Sequence, residues 1–440
     1  MSKRRPEIPS GPHLVVGLAR SGVAAALALR ARGEEVAGVD VGAPAGTESL
    51  VRAGVELHLG EEGLGLLERV RTVIKSPGVP GRAPVIASAL ERGLPVLGEL
   101  ELAWRMLQNE FIAVTGTNGK TTTVELIGHI HREAGLAVAV AGNVGIAASS
   151  LVGAVNAEAT IVCEVSSFQL EDTRAFAPEA AVLLNITPDH LDRHDTFEAY
   201  RRAKLLLFAR QGEDDIAVAP LELGDDLGGH ARRVLFGAGA GAAVSERAGE
   251  LWWQEQPLLA VQEMRLRGVH NVENAMAAAA VCLARGVDAD AVRAGLRSFA
   301  GVPHRLQEVA CREGVLYVND SKATNTASTI VALDAFADRA VHLILGGQGK
   351  GQDFTALRDA VGRSCPAVYL IGEDAPLIAA ALEGSGTQVR ECGELERALA
   401  EATAAARRGE VVMLSPACAS FDQFADFEAR GERFRELLEG

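Results

Sequence analysis

One short stretch constrains this chain more than any other: Thr115-Gly116-Thr117-Asn118-Gly119-Lys120-Thr121-Thr122-Thr123. It follows the apolar run Phe111–Val114 and precedes a helical pattern that opens at Lys120. Strand, glycine-rich loop and helix in that order are the context of a phosphate loop. The glycines let backbone N–H groups turn inward on an anion, and the helix N-terminus adds partial positive charge. Lys120 is placed to reach β/γ phosphates and the Thr121 hydroxyl to ligate Mg²⁺. The usual pattern GxxxxGK[ST] has glycine where this chain has Val114. An ordinary glycine-rich strand–helix turn is the alternative.

The chain around this loop alternates short β-like runs with Ala-rich helical ones. Strands are expected at His13–Leu18, Glu35–Asp40, Val55–Leu59, Val70–Lys75 and Leu94–Leu97, with a helix over Gly22–Arg32. The rhythm resumes at Phe111, with strands at Ala137–Ala141, Thr160–Val165 and Ala180–Asn185. It gives way to β-rich sequence over 213–268, then a helix at Asn271–Arg285 and a shorter one through Arg297. A third unit opens near Arg305 with a hairpin, Gln307–Val318, and alternates again through Val341–Leu345, Ala367–Ile371 and Val411–Leu414. Such βαβ alternation implies α/β domains with parallel, doubly wound sheets. Boundaries near Gly98 and Pro303 divide the 440 residues into 1–98, 99–303 and 304–440.

Composition excludes several classes. The net charge of −15 argues against a general nucleic-acid or membrane-surface binder, which needs a basic face. Lys3-Arg4-Arg5 could open a signal peptide, but the apolar run from Leu14 is cut by Arg20. No run approaches the ~18 apolar residues of a membrane span. The 6 cysteines are widely spaced without a CxxC pair, so reduced thiols in a cytoplasmic protein are expected.

Further residues gather at strand ends. Ile161-Val162-Cys163-Glu164 ends in a carboxylate that could hold a metal beside a triphosphate; a solvated Glu is the alternative. Asn185-Ile186-Thr187-Pro188-Asp189-His190-Leu191-Asp192-Arg193-His194 concentrates acid/base and metal-ligand types after a strand, where α/β sites lie. On the helix that follows, Phe197, Tyr200, Lys204, Leu207 and Phe208 share one stripe. Lys204 therefore interrupts an apolar face. Desolvation would lower its pKa and sharpen its nucleophilicity, whereas snorkelling would keep its head in water. Asn271 is a good helix N-cap, and Asn274 lies one turn on, where an amide could read an adenine edge. Three strand-end loops of the third unit, Asn319–Asn325, Gly346–Gly351 and Ser415–Asp422, form a natural carboxylate- or phosphate-binding rim. Gly17-Leu18-Ala19-Arg20-Ser21-Gly22, with Asp40 downstream, is a degenerate dinucleotide fingerprint. Its middle Ala19 crowds a pyrophosphate, which counts against a nicotinamide-dependent oxidoreductase.

TGTNGKTTT, EVSSFQLE, NITPDHLDRH, the run ending at Lys204, HNxxN, NDSKATN, LGGxGK and SPACASFDQF occur in that order. Together they resemble the Mur ligase family over essentially the full length. The central motifs are shared with folylpolyglutamate synthases, so another ATP-dependent amide ligase is the rival reading. NDSKATN followed by SPACASFDQF points to the member that adds D-glutamate to UDP-N-acetylmuramoyl-L-alanine in peptidoglycan synthesis.

The resemblance implies a Rossmann-like N-terminal domain for the UDP-precursor, a P-loop ATPase-like central domain and a Rossmann-like C-terminal domain for the amino acid. It implies that Gly116, Thr117, Asn118, Gly119, Lys120, Thr121 and Thr122 hold ATP phosphates. Thr121 and Glu164 would hold one Mg²⁺; His190 and Lys204, the latter carried as a carbamate, would hold a second. Asn274, Arg305 and Asp320 would bind the nucleotide, and Lys322 would act with it. Arg20, Ser21, Asp40, Ser76, Asn143 and Ser166 would contact the precursor. Thr324, Lys350, Ser420 and Phe421 would hold D-glutamate. Relatives carry Thr-Arg after the residue matching Asp40; here Val41-Gly42 follow. A cytoplasmic monomer without nucleic-acid or membrane partners is expected.

Overall fold

The computed structural model describes residues 3–439 except 45, 144, 267 and 350, and leaves out the side chains of 191 and 192. It divides into two compact units, Met1–Arg265 with Val269–Phe299, and Leu266–Gly268 with Ala300–Gly440.

The first unit holds two sheets. In one, β1 (His13–Val16), β2 (Val36–Asp40), β3 (Glu56–Leu59), β4 (Thr72–Lys75) and β5 (Val96–Gly98) run in the order β3-β2-β1-β4-β5, all parallel. The chain reverses its order between β1 and β4, so the loops after these neighbouring strands diverge and leave a crevice, the usual ligand position in such sheets. The helix after β1 spans Arg20–Ala31, two residues earlier than the sequence suggests. Gly22 permits this: a Cβ there would lie 1.8 Å from the Gly17 carbonyl oxygen.

The second sheet comprises β6 (Phe111–Thr115), β7 (Val138–Gly142), β8 (Thr160–Glu164), β9 (Ala180–Leu183), β10 (Ile216–Pro220), β11 (Arg232–Phe236), β12 (Val244–Arg247), β13 (Glu250–Trp253) and β14 (Gln256–Ala260). Their order is β14-β13-β12-β11-β10-β9-β6-β8-β7. β6 lies between β8 and β9, parallel to both, while β12–β14 form an antiparallel extension. The expected β-rich stretch is thus β10–β14. The helix Val269–Ala284 buries Ala275 and Ala277–Ala280 completely; these small side chains let its backbone approach the sheet closely. It starts two residues before Asn271, which is therefore inside the helix and buried rather than its N-cap.

A helix unanticipated from sequence, Glu99–Met106, follows β5 directly across the expected boundary at Gly98. It buries two carboxylates. Glu101 accepts backbone N–H bonds from Arg174, Ala175 and Phe176, and Glu99 accepts from the Ser149 N–H at 2.7 Å. Arg5 packs against this helix. It is buried, donates to the carbonyls of Trp104, Leu107 and Asn109, and lies 5.0 Å over the Trp104 ring.

In the second unit, β15 (Gln307–Arg312), β16 (Val315–Asn319), β17 (Val341–Gly346), β18 (Ala367–Ile371), β19 (Gln388–Gly393) and β20 (Val411–Leu414) form the order β15-β16-β20-β17-β18-β19. Among these described strands only the β15–β16 pair is antiparallel. β19 escapes the sequence reading because it is a mostly exposed edge strand without an apolar run. Because β20 sits between β16 and β17, the loops after these three strands emerge side by side. Among the described residues, no helix is long and apolar enough to cross a membrane.

Candidate active site

The loop after β6 is held open by fixed partners. Gly119 has φ 83°, and a Cβ there would lie 2.2 Å from Asn274 Oδ1. Only glycine fits, and the buried Asn274 amide packs on the loop while donating to Asn271 Oδ1 at 3.2 Å. Asn185 Oδ1 accepts the N–H groups of Thr117 (3.1 Å) and Asn118 (2.9 Å). The Thr117 hydroxyl bonds the Thr187 carbonyl and shares a 3.0 Å hydrogen bond with Tyr200 Oη. Lys120 Nζ curls back to the Gly116 and Thr117 carbonyls, each at 2.8 Å. Val114, the departure from the usual pattern, is a fully buried β6 residue. Its side chain is core, so the glycine is dispensable there.

The Thr121 hydroxyl on the first helical turn donates to Glu164 Oε2 at 2.8 Å. Asn143 Nδ2 donates to Glu164 Oε1 at 3.0 Å. Glu164 is buried at the end of β8, which removes the solvated alternative. Thr122 is buried on the same turn.

Lys204 does not snorkel. It is 2% exposed, donates to the Gly116 carbonyl at 2.7 Å and sits 4.6 Å over the Tyr200 ring. Burial, reinforced by the charge of Lys120, lowers its pKa to about 7. Much of the amine is then neutral and nucleophilic near neutral pH. The expected stripe holds for Tyr200, Lys204, Leu207 and Phe208, all buried. Phe197 departs from it: it is exposed at the first turn, next to the N-cap Thr196.

The polar cluster divides. His190 stands at φ 51°, half exposed, its Nε2 3.5 Å from Asp189 Oδ2 and its ring 6.4 Å from that of Tyr200. Lys204 and His190 therefore both border Tyr200. His194 turns inward, shares a 2.9 Å hydrogen bond with Ser167 Oγ and stacks on Phe168 at 5.2 Å. Ser166 caps the helix Ser167–Glu171 in a capping box with Gln169. Among the described residues no cluster of three His, Cys, Asp or Glu could hold a metal alone. A hydroxyl and a carboxylate beside a phosphate loop nonetheless suit Mg²⁺, which takes its other ligands from phosphate and water.

At the crevice of the first sheet, Asp40 closes the loop after β1. Its Oδ2 accepts the Leu18 N–H at 2.7 Å and its Oδ1 the Gly42 N–H at 2.8 Å. Ser76 Oγ ties the loop after β4 to the Gly17 carbonyl at 2.6 Å. Ser21 lies on the first turn of the helix Arg20–Ala31, and Arg20 reaches the Gly145 carbonyl at 3.4 Å. Val41, directly after β2, is 76% exposed.

In the second unit, Asp320 follows β16 and is almost wholly buried. Ser415 Oγ donates to its Oδ2 at 2.7 Å and the Leu306 N–H to its Oδ1 at 3.0 Å. Burial raises its pKa to about 7, against the lowering effect of those bonds and of Arg305. The Lys322 N–H donates to the His304 carbonyl and the Thr324 N–H to the Lys322 carbonyl, both at 2.9 Å. Ser420 is buried beside Phe421, which is 61% exposed. Lys350 lies outside the described residues. Sequence gave no hint of Arg430. Its buried guanidinium donates to the carbonyls of Ser321 and Cys418 at 2.9 Å each and reaches that of Gly346, which joins all three loops. Asn185, in the polar cluster, and Tyr200, on the stripe shared with Lys204, carry no sequence mark of their role as loop supports.

Family models match the three sheets in turn: a Mur ligase MurD-like N-terminal domain over 12–98, a Mur ligase middle domain over 114–282, and a Mur ligase glutamate ligase domain over 304–418. The chain belongs to the Mur ligase family. This Mur ligase is 42% identical over 453 residues to UDP-N-acetylmuramoylalanine–D-glutamate ligase of Acidobacterium capsulatum, covering 98% of this chain and 97% of the relative. It is 40% identical over 439 residues to the enzyme of the same name in Koribacter versatilis, covering 97% and 96%. Among solved structures, the Mur ligase fold is shared with UDP-N-acetylmuramate-alanine ligase of Thermotoga maritima, at TM-score 0.62 and 21% identity over 98% of this chain and 99% of that one.

Proposed function

We propose that this Mur ligase joins D-glutamate to UDP-N-acetylmuramoyl-L-alanine at the expense of ATP, within the cytoplasmic stage of peptidoglycan synthesis. The reading rests on one observation above others: a phosphate loop flanked by the Thr121–Glu164 pair on one side and by a buried lysine with a pKa near 7 on the other. The relatives' shared name supplies the substrates. The proposed division is 1–98 for the precursor, 99–303 for ATP and 304–440 for the amino acid.

A carboxylate oxygen of the alanyl group attacks the γ-phosphorus, the bond to the β-phosphate oxygen breaks, and ADP leaves. The D-glutamate amine then attacks the acyl phosphate carbon and loses a proton. The tetrahedral adduct expels phosphate and leaves the amide. Both steps concentrate negative charge, which Lys120 and the phosphate loop over residues 116–122 would stabilise, with Asn185 holding the Thr117 and Asn118 N–H groups that shape it. Bound Mg²⁺ would neutralise phosphate charge, with Thr121 and Glu164 as ligands for one ion and His190 and Lys204 for the second. CO₂ adds only to a neutral amine, so the lowered pKa of Lys204 favours its carbamate, which replaces a cation by an oxygen donor. Asn274, Arg305, Asp320 and Lys322 are assigned to the nucleotide. Arg20, Ser21, Asp40, Ser76, Asn143 and Ser166 are assigned to the precursor. Thr324, Lys350, Ser420 and Phe421 are assigned to the glutamate carboxylates.

The test is isotopic. Precursor labelled with heavy oxygen in its alanyl carboxylate is turned over with ATP and D-glutamate. Transfer of one label into the released phosphate is expected from an acyl phosphate. Unlabelled phosphate alongside amide product would overturn the mechanism, and no product would overturn the substrate assignment.

A further inference from the structure

The four residues after β4, Ser76-Pro77-Gly78-Val79, are gripped at both ends by the neighbouring sheet. At one end Lys75, only 1% exposed, sets its Nζ 2.5 Å from Asp172 Oδ2. At the other, Arg193 donates to the Val79 carbonyl at 3.4 Å. Both partners converge on the short helix Ser167–Glu171. Asp172 is its C-cap, where the helix dipole repels a carboxylate unless a cation faces it. Arg193 lies 4.5 Å over the ring of Phe168 on the same helix, and its charge also acts on the Asp172 carboxyl. The contact is close: a Cβ on Gly98 would meet Asp172 Cβ at 2.6 Å; within the first sheet, a Cβ on Gly17 would meet Val79 Cγ2 at 2.7 Å, so loop 76–79 also packs on the loop after β1.

The helix so gripped leads back to the chemistry. It begins three residues after Glu164, and Phe168 packs on His190 at 5.1 Å and on His194 at 5.2 Å. None of Lys75, Asp172 and Arg193 has a part in the reaction above. An ion pair with one partner buried and the other largely so is a poor source of stability, since apolar residues of similar volume often do as well or better. What the pair supplies is a fixed distance between two strand-end loops.

We propose that Lys75, Asp172 and Arg193 are positioning residues that set loop 76–79, and through Ser76 the loop after β1, against the Glu164–His190 side of the nucleotide site. The inference rests on the proposed function for the identity of the ligand at the first sheet, the UDP-linked precursor. Its consequence is selective: misplacing this loop misplaces the precursor's carboxylate and leaves the phosphate loop intact.

The test compares the wild type with Lys75→Met/Asp172→Leu, which removes both charges of the pair together, and with Arg193→Met and Arg193→Lys. The expected result is a kcat/KM for UDP-N-acetylmuramoyl-L-alanine lowered on the order of 10-fold or more in the double variant and Arg193→Met. The KM for ATP stays within about twofold, melting is little changed, and Arg193→Lys recovers part of the loss. Folded variants with unchanged precursor kcat/KM would overturn the proposal. So would equal losses toward ATP and precursor, the mark of a merely structural role. Should the double variant fail to fold, the Arg193 pair decides. An inactive wild type would instead refute the substrate assignment, so the two failures are distinguishable.

Discussion

Replacing Asp320 with Asn should stabilise the second unit above neutral pH while impairing catalysis. The carboxyl is buried, with its pKa raised from the ordinary 3.8 to about 7. The folded state therefore holds this proton more tightly than the unfolded state does. Stability is lost as pH rises from about 4 to about 7 and is flat above. That interval corresponds to roughly 4 kcal/mol at about 1.36 kcal/mol per pH unit; relaxation around the charge leaves about half. Asn keeps the acceptor for the Leu306 N–H. Its new N–H₂ meets Ser415 Oγ, whose proton can turn to Thr329 Oγ1 at 3.2 Å. The gain should be about 2 kcal/mol at pH 8 and under about 1 kcal/mol at pH 5. All 3 tryptophans, Trp104, Trp252 and Trp253, lie in the first unit. Hydrogen exchange of β16 and β20 peptides is therefore the assay, with variant and wild type compared at equal pH. A gain equal at both pH values, or a loss at pH 8, would refute the reasoning.

Lys204→Ala should lower kcat by at least about 10²-fold without unfolding the chain, and short carboxylates such as acetate should restore part of it. Because its pKa lies near 7, carbon-13 bicarbonate should label Lys204 as carbamate increasingly between pH 6 and pH 8; a signal that falls over this range contradicts the assignment. Tyr200→Phe deletes the hydroxyl bonded to Thr117. It should raise the KM for ATP a few-fold and cost about 1 kcal/mol in urea unfolding. Glu101→Ala strands the N–H groups of Arg174, Ala175 and Phe176. It should destabilise the first unit by about 3 kcal/mol, read by Trp fluorescence, with kcat of the folded fraction unchanged.

Local signals made much of this molecule legible. The phosphate loop and its strand and helix follow from glycine spacing and apolar periodicity, and so does the place of Lys204 on an apolar stripe; the choice between burial and snorkelling needs the Gly116 carbonyl and the Tyr200 ring in place. The three loops beside β16, β17 and β20 were readable as strand ends. Their sharing of one rim is an expectation that the sheet order bears out; the order itself, with β20 inserted between β16 and β17, is not legible because it pairs strands distant in sequence. Arg430 was invisible for the same reason: its partners lie up to 109 residues away. Buried carboxylates such as Glu99 and Glu101 carry no sequence mark either. Most of their partners are backbone N–H groups that any residue provides, joined by the Ser149 hydroxyl on Glu99 and Arg105 on Glu101. The choice between a solvated and a buried Glu164 likewise needed Thr121 and Asn143 in place.

The most direct measurement is phosphate release from Mg·ATP with UDP-N-acetylmuramoyl-L-alanine and D-glutamate or L-glutamate. The account predicts release that requires the precursor and D-glutamate together, with L-glutamate inert. Release driven equally by L-glutamate, or by another amino acid in preference to D-glutamate, would contradict it.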